Sequence, residues 1–169
     1  MIEIIDPRSY SLTDDDILSF HQMICAPDQT EWDYEEPSEE SNEEVIQFFR
    51  ERFLPRQNNH AFWAKADGQI VGMVGINRFE TSARAHCAEL GFKVAEKYQR
   101  QGIGYQLVCK VIDTARAIEL KRLEAGCFAD NTRAIALLRK AGFKEEGVRV
   151  GAIQKRGVLR DIRLFGLLL

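Results

Sequence analysis

The stretch QRQGIG, Gln99 to Gly104, sets two glycines two positions apart directly ahead of an apolar-periodic run. A Gly-rich turn that opens a helix is suited to an anion. The first N–H groups of a helix have no intrahelical acceptor and carry the positive end of the dipole. Glycine lets the backbone close on a ligand with no Cβ in the way. Phosphate is therefore the chemistry this turn is suited to hold. Ten residues upstream of Gln99, Glu89 falls in a run that reads as a strand, AELGFKV. A carboxylate half-buried there would be raised above its usual value and would suit a general base. The competing reading is a solvated or salt-bridged strand residue.

Two common phosphate motifs do not fit. The chain has no G-x-x-x-x-G-K-[ST] run. A dinucleotide fingerprint needs a third glycine where Leu107 stands. The elements around the turn also argue against a doubly wound sheet. IEII reads as a first strand, ended by Asp6-Pro7. SLTDDDILSFHQMI reads as a helix capped by Ser11 or Thr13, with Ile17, Phe20 and Ile24 in its stripe. EEVIQFFRERFL is a second helix, with Val45, Phe48, Phe49 and Phe53 apolar. HAFWAKA and QIVGMVGINRF form a hairpin about Asp67-Gly68, and HCAELGFKV adds a third antiparallel strand. After the turn come a helix with Ile103, Leu107, Val111, Ile112 and Ala115 inward, a buried strand RLEAGCFA, and a helix DNTRAIALLRKAGF. The last helix is capped by Asp130 or Asn131 and ended by Gly142. Two strands close the chain about Lys155-Arg156-Gly157. The layout is mixed α/β (α+β): an antiparallel meander, a β-α-β crossover, then more strands.

With that context the turn acquires a family. Gln99, Arg100, Gln101, Gly102, Ile103 and Gly104 resemble the [QR]-x-x-G-x-[GA] motif of the GNAT superfamily of N-acetyltransferases. AELGFKVAEKYQRQGIG is similar to that family's fourth strand and pyrophosphate loop, and DNTRAIALLRKAGF to its N-x-x-A block. The ending KRGVLRDIRLFGLLL is similar to the closing hairpin of the ribosomal-protein alanine N-acetyltransferase branch. The likeness covers residues 60 to 169, and before that only the element order matches. It implies a GNAT fold over one domain, residues 1–169: a mixed sheet of about seven strands with about four helices. It implies acetyl-CoA as co-substrate and no metal. Phe92, Lys93 and Val94 would line the acetyl and pantetheine arm through backbone groups, residues 100 to 105, Tyr105 included, would hold pyrophosphate, and Asn131 would touch pantetheine or cap its helix. Glu89 lies on the strand that faces the acetyl group in the family. Leu138 stands where many members carry a Tyr that protonates the leaving thiolate, so that general acid is missing.

Bulk properties narrow the partners. The 169 residues are 45% apolar and 29% charged with net charge −3, which points to neither nucleic acid nor an anionic membrane. No run reaches the roughly 20 apolar residues of a membrane span, and MIEIIDPRSY lacks the pattern of a signal peptide. A cytoplasmic protein is the expectation. Cys25, Cys87, Cys109 and Cys127 form no C-x-x-C pair and, with His21, His60 and His86, no metal-ligand spacing, so free thiols are expected. Residues 28 to 44 are acidic, hold Trp32 and Tyr34, and contain no Lys or Arg. They read as a solvated loop and charged helix start, or as a collar that attracts a cationic amine. The expected activity is acetyl transfer to a primary amine, whether of a small molecule (an amino acid, a polyamine or an antibiotic) or of a peptide, by direct transfer in a ternary complex. The alternatives are a non-catalytic acyl-CoA-binding module of the same fold and a nucleotide-binding protein. The long apolar final strand would suit edge pairing in a homodimer.

Overall fold

Three of the described helices start where a side chain accepts from the free backbone N–H groups. The computed structural model describes residues 2–25, 41–53 and 59–169. Most of the acidic stretch, residues 28–40 with Trp32 and Tyr34, lies outside them, as do the side chains of Ile24 and Phe53. The first strand, β1 (Ile2–Ile5), leads to α1 (Asp14–Ile24), which Thr13 caps through a reciprocal box with Asp16. The second helix, α2 (Asn42–Phe53), carries the same device in Ser41 and Glu44. Then come β2 (Asn59–Ala66), β3 (Gln69–Arg78), β4 (Cys87–Val94) and α3 (Ile103–Ala117). The chain ends with β5 (Arg122–Phe128), α4 (Thr132–Lys140), β6 (Lys144–Lys155) and β7 (Val158–Leu168). Asn131 caps α4 by accepting from Ala134 N–H at 3.0 Å.

The seven strands form one sheet in the order β1-β2-β3-β4-β5-β7-β6. Every neighbouring pair is antiparallel except β4 with β5. That parallel pair is the crossover through α3, as the sequence pattern requires. The mixed sheet, the meander and the four helices agree with the expected architecture. Each face of the sheet carries its own core. On one, Phe62, Val74, Leu90 and Phe165 pack with Leu107, Val111, Leu138 and Phe143. On the other, Ile17 and Phe20 of α1 and Val45 and Phe49 of α2 meet Trp63, Ile70 and Met73. Phe20 stands edge-on to Trp63 with ring centroids 5.3 Å apart.

One expectation is corrected by topology. The last strand, β7, lies between β5 and β6, so both of its edges are already paired and neither can pair with a second copy. The free edge at that end belongs to β6. Its register shifts between Glu145 and Gly147 and again between Arg149 and Ile153, irregularities of the kind that blunt an edge. No helix among the described residues is long and apolar enough to cross a membrane. All four cysteines are free thiols.

Candidate active site

The parallel pairing of β4 and β5 is short. It runs from Cys87 opposite Arg122 to Leu90 opposite Ala125 and then stops, although β4 continues to Val94 and β5 to Phe128. From Gly91 onward the edge of β4 that faces β5 has no strand partner. The N-terminus of α3 stands at the end of this opening. Gly102 occupies the cap position at φ 81° with no side-chain bond. Among the described residues, α1, α2 and α4 have side-chain acceptors at Thr13, Ser41 and Asn131, and of these four helices α3 alone has no side-chain cap for its first turn. The first bond of its own ladder is Gln106 N–H to Gly102 O. Arg100 is also left-handed, at φ 60°. Left-handed residues alternating with ordinary ones turn successive N–H groups to one side, the geometry of an anion nest.

A cavity of about 430 Å³ joins the two features. Of the residues singled out from the sequence, Phe92, Lys93, Val94, Gln99, Arg100, Gly102, Ile103, Gly104, Tyr105 and Asn131 line it. Gln101 does not; it is exposed and donates to Lys97 O. Gln99 lines the cavity but is engaged within the protein. Its Nε2 donates to Val94 O at 2.9 Å, and its Oε1 accepts from Arg133. Asn131 spends Oδ1 on the α4 cap and still lines the wall. Gly104 is buried, and a Cβ there would sit 2.7 Å from Leu137 Cδ1, so its small size serves the approach of α3 to α4.

The sequence reading missed the far wall, which is one face of α4: Arg133, Leu137 and Lys140, with Ala134 and Ala136. Spacings of four and three put the first three on one helical stripe, the one signal that could have found them. Arg100, Arg133 and Lys140 set three cationic residues against Glu96 on this lining, a balance that suits a phosphorylated ligand. Lys140 Nζ sits 4.4 Å from the centre of the Tyr105 ring. A hydrogen bond with Cys109 pushes the Tyr105 phenol above its usual value. Burial pushes the Cys127 thiol up to about 11, which leaves it protonated and a poor nucleophile at neutral pH. Leu138 is fully buried in the core and offers no proton.

Glu89 lies outside the cavity, on the other face of the sheet, in register with Asn77 of β3 and Glu124 of β5. It is exposed, so the burial on which its expected activation rested is absent. Among the described residues it has neither a hydrogen-bond nor an ion-pair partner. Glu124, on the same rung, is held by Arg84 at 2.7 Å and Arg122 at 3.0 Å. Partial burial pushes the Glu124 carboxyl up, but those two guanidinium bonds outweigh it and hold the group below its usual value. Among the described residues no group of three His, Cys, Asp or Glu side chains could hold a metal ion.

Comparison with known proteins bears on this arrangement. The model of the acetyltransferase (GNAT) family matches residues 24–143. The chain is 27% identical over 165 residues to an uncharacterized N-acetyltransferase, p20, of Bacillus licheniformis, covering 95% of this chain and 90% of that protein. It is 34% identical over 98 residues to the N-alpha-acetyltransferase RimI of Mycobacterium tuberculosis, covering 58% of this chain and 60% of that one. Ribosomal-protein-alanine N-acetyltransferase from Brucella melitensis superposes with a TM-score of 0.81 at 26% identity, over 99% of each chain.

Proposed function

The chain belongs to the acetyltransferase (GNAT) family, and from that premise we propose that it moves an acetyl group to a primary amine by direct transfer, with both substrates bound where β4 parts from β5. It is an acetyl-CoA-dependent N-acetyltransferase. The observation that carries the reading is the parting of the strands beside the N-terminus of α3, which no side chain caps. The first-turn N–H groups of α3, with Arg100 and Lys140, hold the pyrophosphate. The edge of β4 from Phe92 to Val94, which β5 does not cover, takes the pantetheine arm as a neighbouring strand would. Backbone N–H groups on that edge offer donors to the carbonyl oxygen as it gains charge.

The acceptor enters from the opposite face, where Glu89 is exposed. An amine with a pKa of about 10 arrives mostly protonated at neutral pH. Glu89 accepts its proton, directly or through one water. The nitrogen then forms its bond to the carbonyl carbon and gives up its second proton to solvent, and the C–S bond breaks with its electron pair going to sulfur. A thiol has a pKa of about 8.5, so the thiolate leaves without a dedicated acid and takes its proton from solvent. This accommodates Leu138 in place of tyrosine. The RimI relative is named for α-amines and the Brucella structure for ribosomal-protein alanine, which favours a peptide or amino-acid α-amine over a polyamine or an antibiotic.

The test is release of free CoA thiol from acetyl-CoA against amino acids, short peptides, polyamines and aminoglycosides, with thermal stabilisation by acetyl-CoA measured alongside. Turnover with any of these amines is expected. Stabilisation without turnover of any of them would favour a non-catalytic acyl-CoA-binding module, and the absence of both would overturn the assignment of the cavity.

A further inference from the structure

Gly91 occupies a position where nothing among the described residues requires glycine. Its backbone is not in the left-handed region, and a Cβ built on it meets no atom of the described residues within 4 Å. It is exposed in the middle of β4, a strand with partners on both sides up to the preceding residue. Glycine inside a strand costs about 0.5–1 kcal/mol relative to alanine and often marks a place where a ligand approaches closely. Gly91 is the first residue past the last β4–β5 pair, so it stands at the mouth of the opening. It shares a face of the sheet with Glu89, two residues and about 6.6 Å along the strand. The next residue, Phe92, points to the other face and lines the cavity. On the β5 side of the mouth the matching residue is Gly126, also exposed.

We propose that Gly91 is a specificity-determining residue for the acceptor: with no side chain between Glu89 and the opening, it makes room for an amine whose nitrogen-bearing carbon is branched. This rests on the acetyl-transfer reading above. An α-amine of an amino acid or peptide carries a side chain and a carbonyl on that carbon, and both need space beside the attacking nitrogen. A β-branched side chain at position 91 would occupy that space on the Glu89 face without entering the acetyl-CoA cavity. An unbranched amine would still reach the opening.

The experiment compares wild type, Gly91→Ala and Gly91→Val on two tripeptides that differ only in their first residue, glycine or valine, with spermidine as an unbranched amine. In wild type the valine peptide is turned over with a kcat/KM within about tenfold of the glycine peptide. In Gly91→Val the valine-to-glycine ratio falls at least tenfold, consistent with the roughly 10- to 200-fold by which a pocket discriminates one methylene. Gly91→Ala lies between, and acetyl-CoA affinity stays within about twofold for all three proteins. An unchanged ratio would overturn the proposal, as would a loss of acetyl-CoA affinity in step with activity. Wild-type turnover of spermidine but of neither peptide would overturn it while leaving the acetyltransferase reading intact. A wild-type protein that binds acetyl-CoA and acetylates no amine would sink that reading and this one together.

Discussion

Glu89 and Glu124 sit directly opposite each other on neighbouring strands, and their surroundings divide their roles. Two arginines consume Glu124. Glu89, exposed on the same rung, is the base in the mechanism proposed above. Replacing it with glutamine would remove that base and keep the shape. The turnover number is expected to fall by about a hundredfold or more, with acetyl-CoA affinity near wild type. A wild-type rate in that variant would remove Glu89 from the mechanism. His60 gives a residue-scale prediction about stability. Burial, helped by the charge of Arg8, lowers its pKa below the ordinary histidine value of about 6.5. The folded protein therefore prefers the neutral ring, and the unfolded chain takes up the proton first as pH falls. Stability linked to His60 is present above about pH 6.5 and is lost as the pH drops below that value. Urea midpoints measured from pH 7.5 to 5.5 should fall less steeply for His60→Gln than for wild type. Equal slopes would show that His60 is not the group responsible. Asp6, held low chiefly by its bond from Arg8, acts in the more acidic carboxylate range and does not enter this window.

At the scale of elements, the contact between α3 and α4 sets the width of the cavity. At Gly104 an added Cβ would stand 2.7 Å from Leu137 Cδ1 and 3.6 Å from Val94 Cγ2. A sequence view of Gly104 as a place for phosphate to approach is incomplete, because the missing Cβ faces a neighbouring helix. Gly104→Val must push Leu137 aside and drive the helices apart. It should lower both the melting temperature and acetyl-CoA affinity, the latter by tenfold or more, with overpacking costing about 1–3 kcal/mol. If affinity fell with no change in Tm, the glycine would be serving the ligand rather than the helix packing. Gly102 is different: its φ of 81° is the conformation that glycine adopts most readily.

For the whole molecule, the opening between β4 and β5 divides the sheet into β1–β4 and β5–β7, joined there by four residue pairs. A ligand that lies in the opening and binds α3 and α4 bridges both halves and binds the folded state alone. At a hundred times its Kd such a ligand adds about 2.7 kcal/mol. For a domain of this length that is a rise in Tm of about 5–10 °C, measurable by calorimetry in the presence of acetyl-CoA. Binding observed by titration without any such rise would mean that the ligand sits elsewhere or also binds the unfolded chain.

What depends on neighbours a few residues apart was legible in the sequence. It narrowed the caps to Ser11 or Thr13 and to Asp130 or Asn131, and the structure places them at Thr13 and Asn131. The Asp67-Gly68 hairpin and the opening of α3 at Gly102 were readable because both partners lie within one turn of chain. The alternation of strands and helices fixed the crossover and hence the parallel pair. The resemblance at Gln99 to Gly104 supplied the family and therefore the co-substrate. Only the tertiary structure decided where β4 and β5 part, that β7 inserts between β5 and β6, and that Arg133, Leu137 and Lys140 form the far wall. It also decided that Glu124 is occupied, since Arg84 comes from 40 residues away, and that Glu89 is exposed rather than half-buried. Burial and ion pairing are set by contacts between segments far apart in the chain, and local spacing carries no record of which carboxylate a distant arginine will reach.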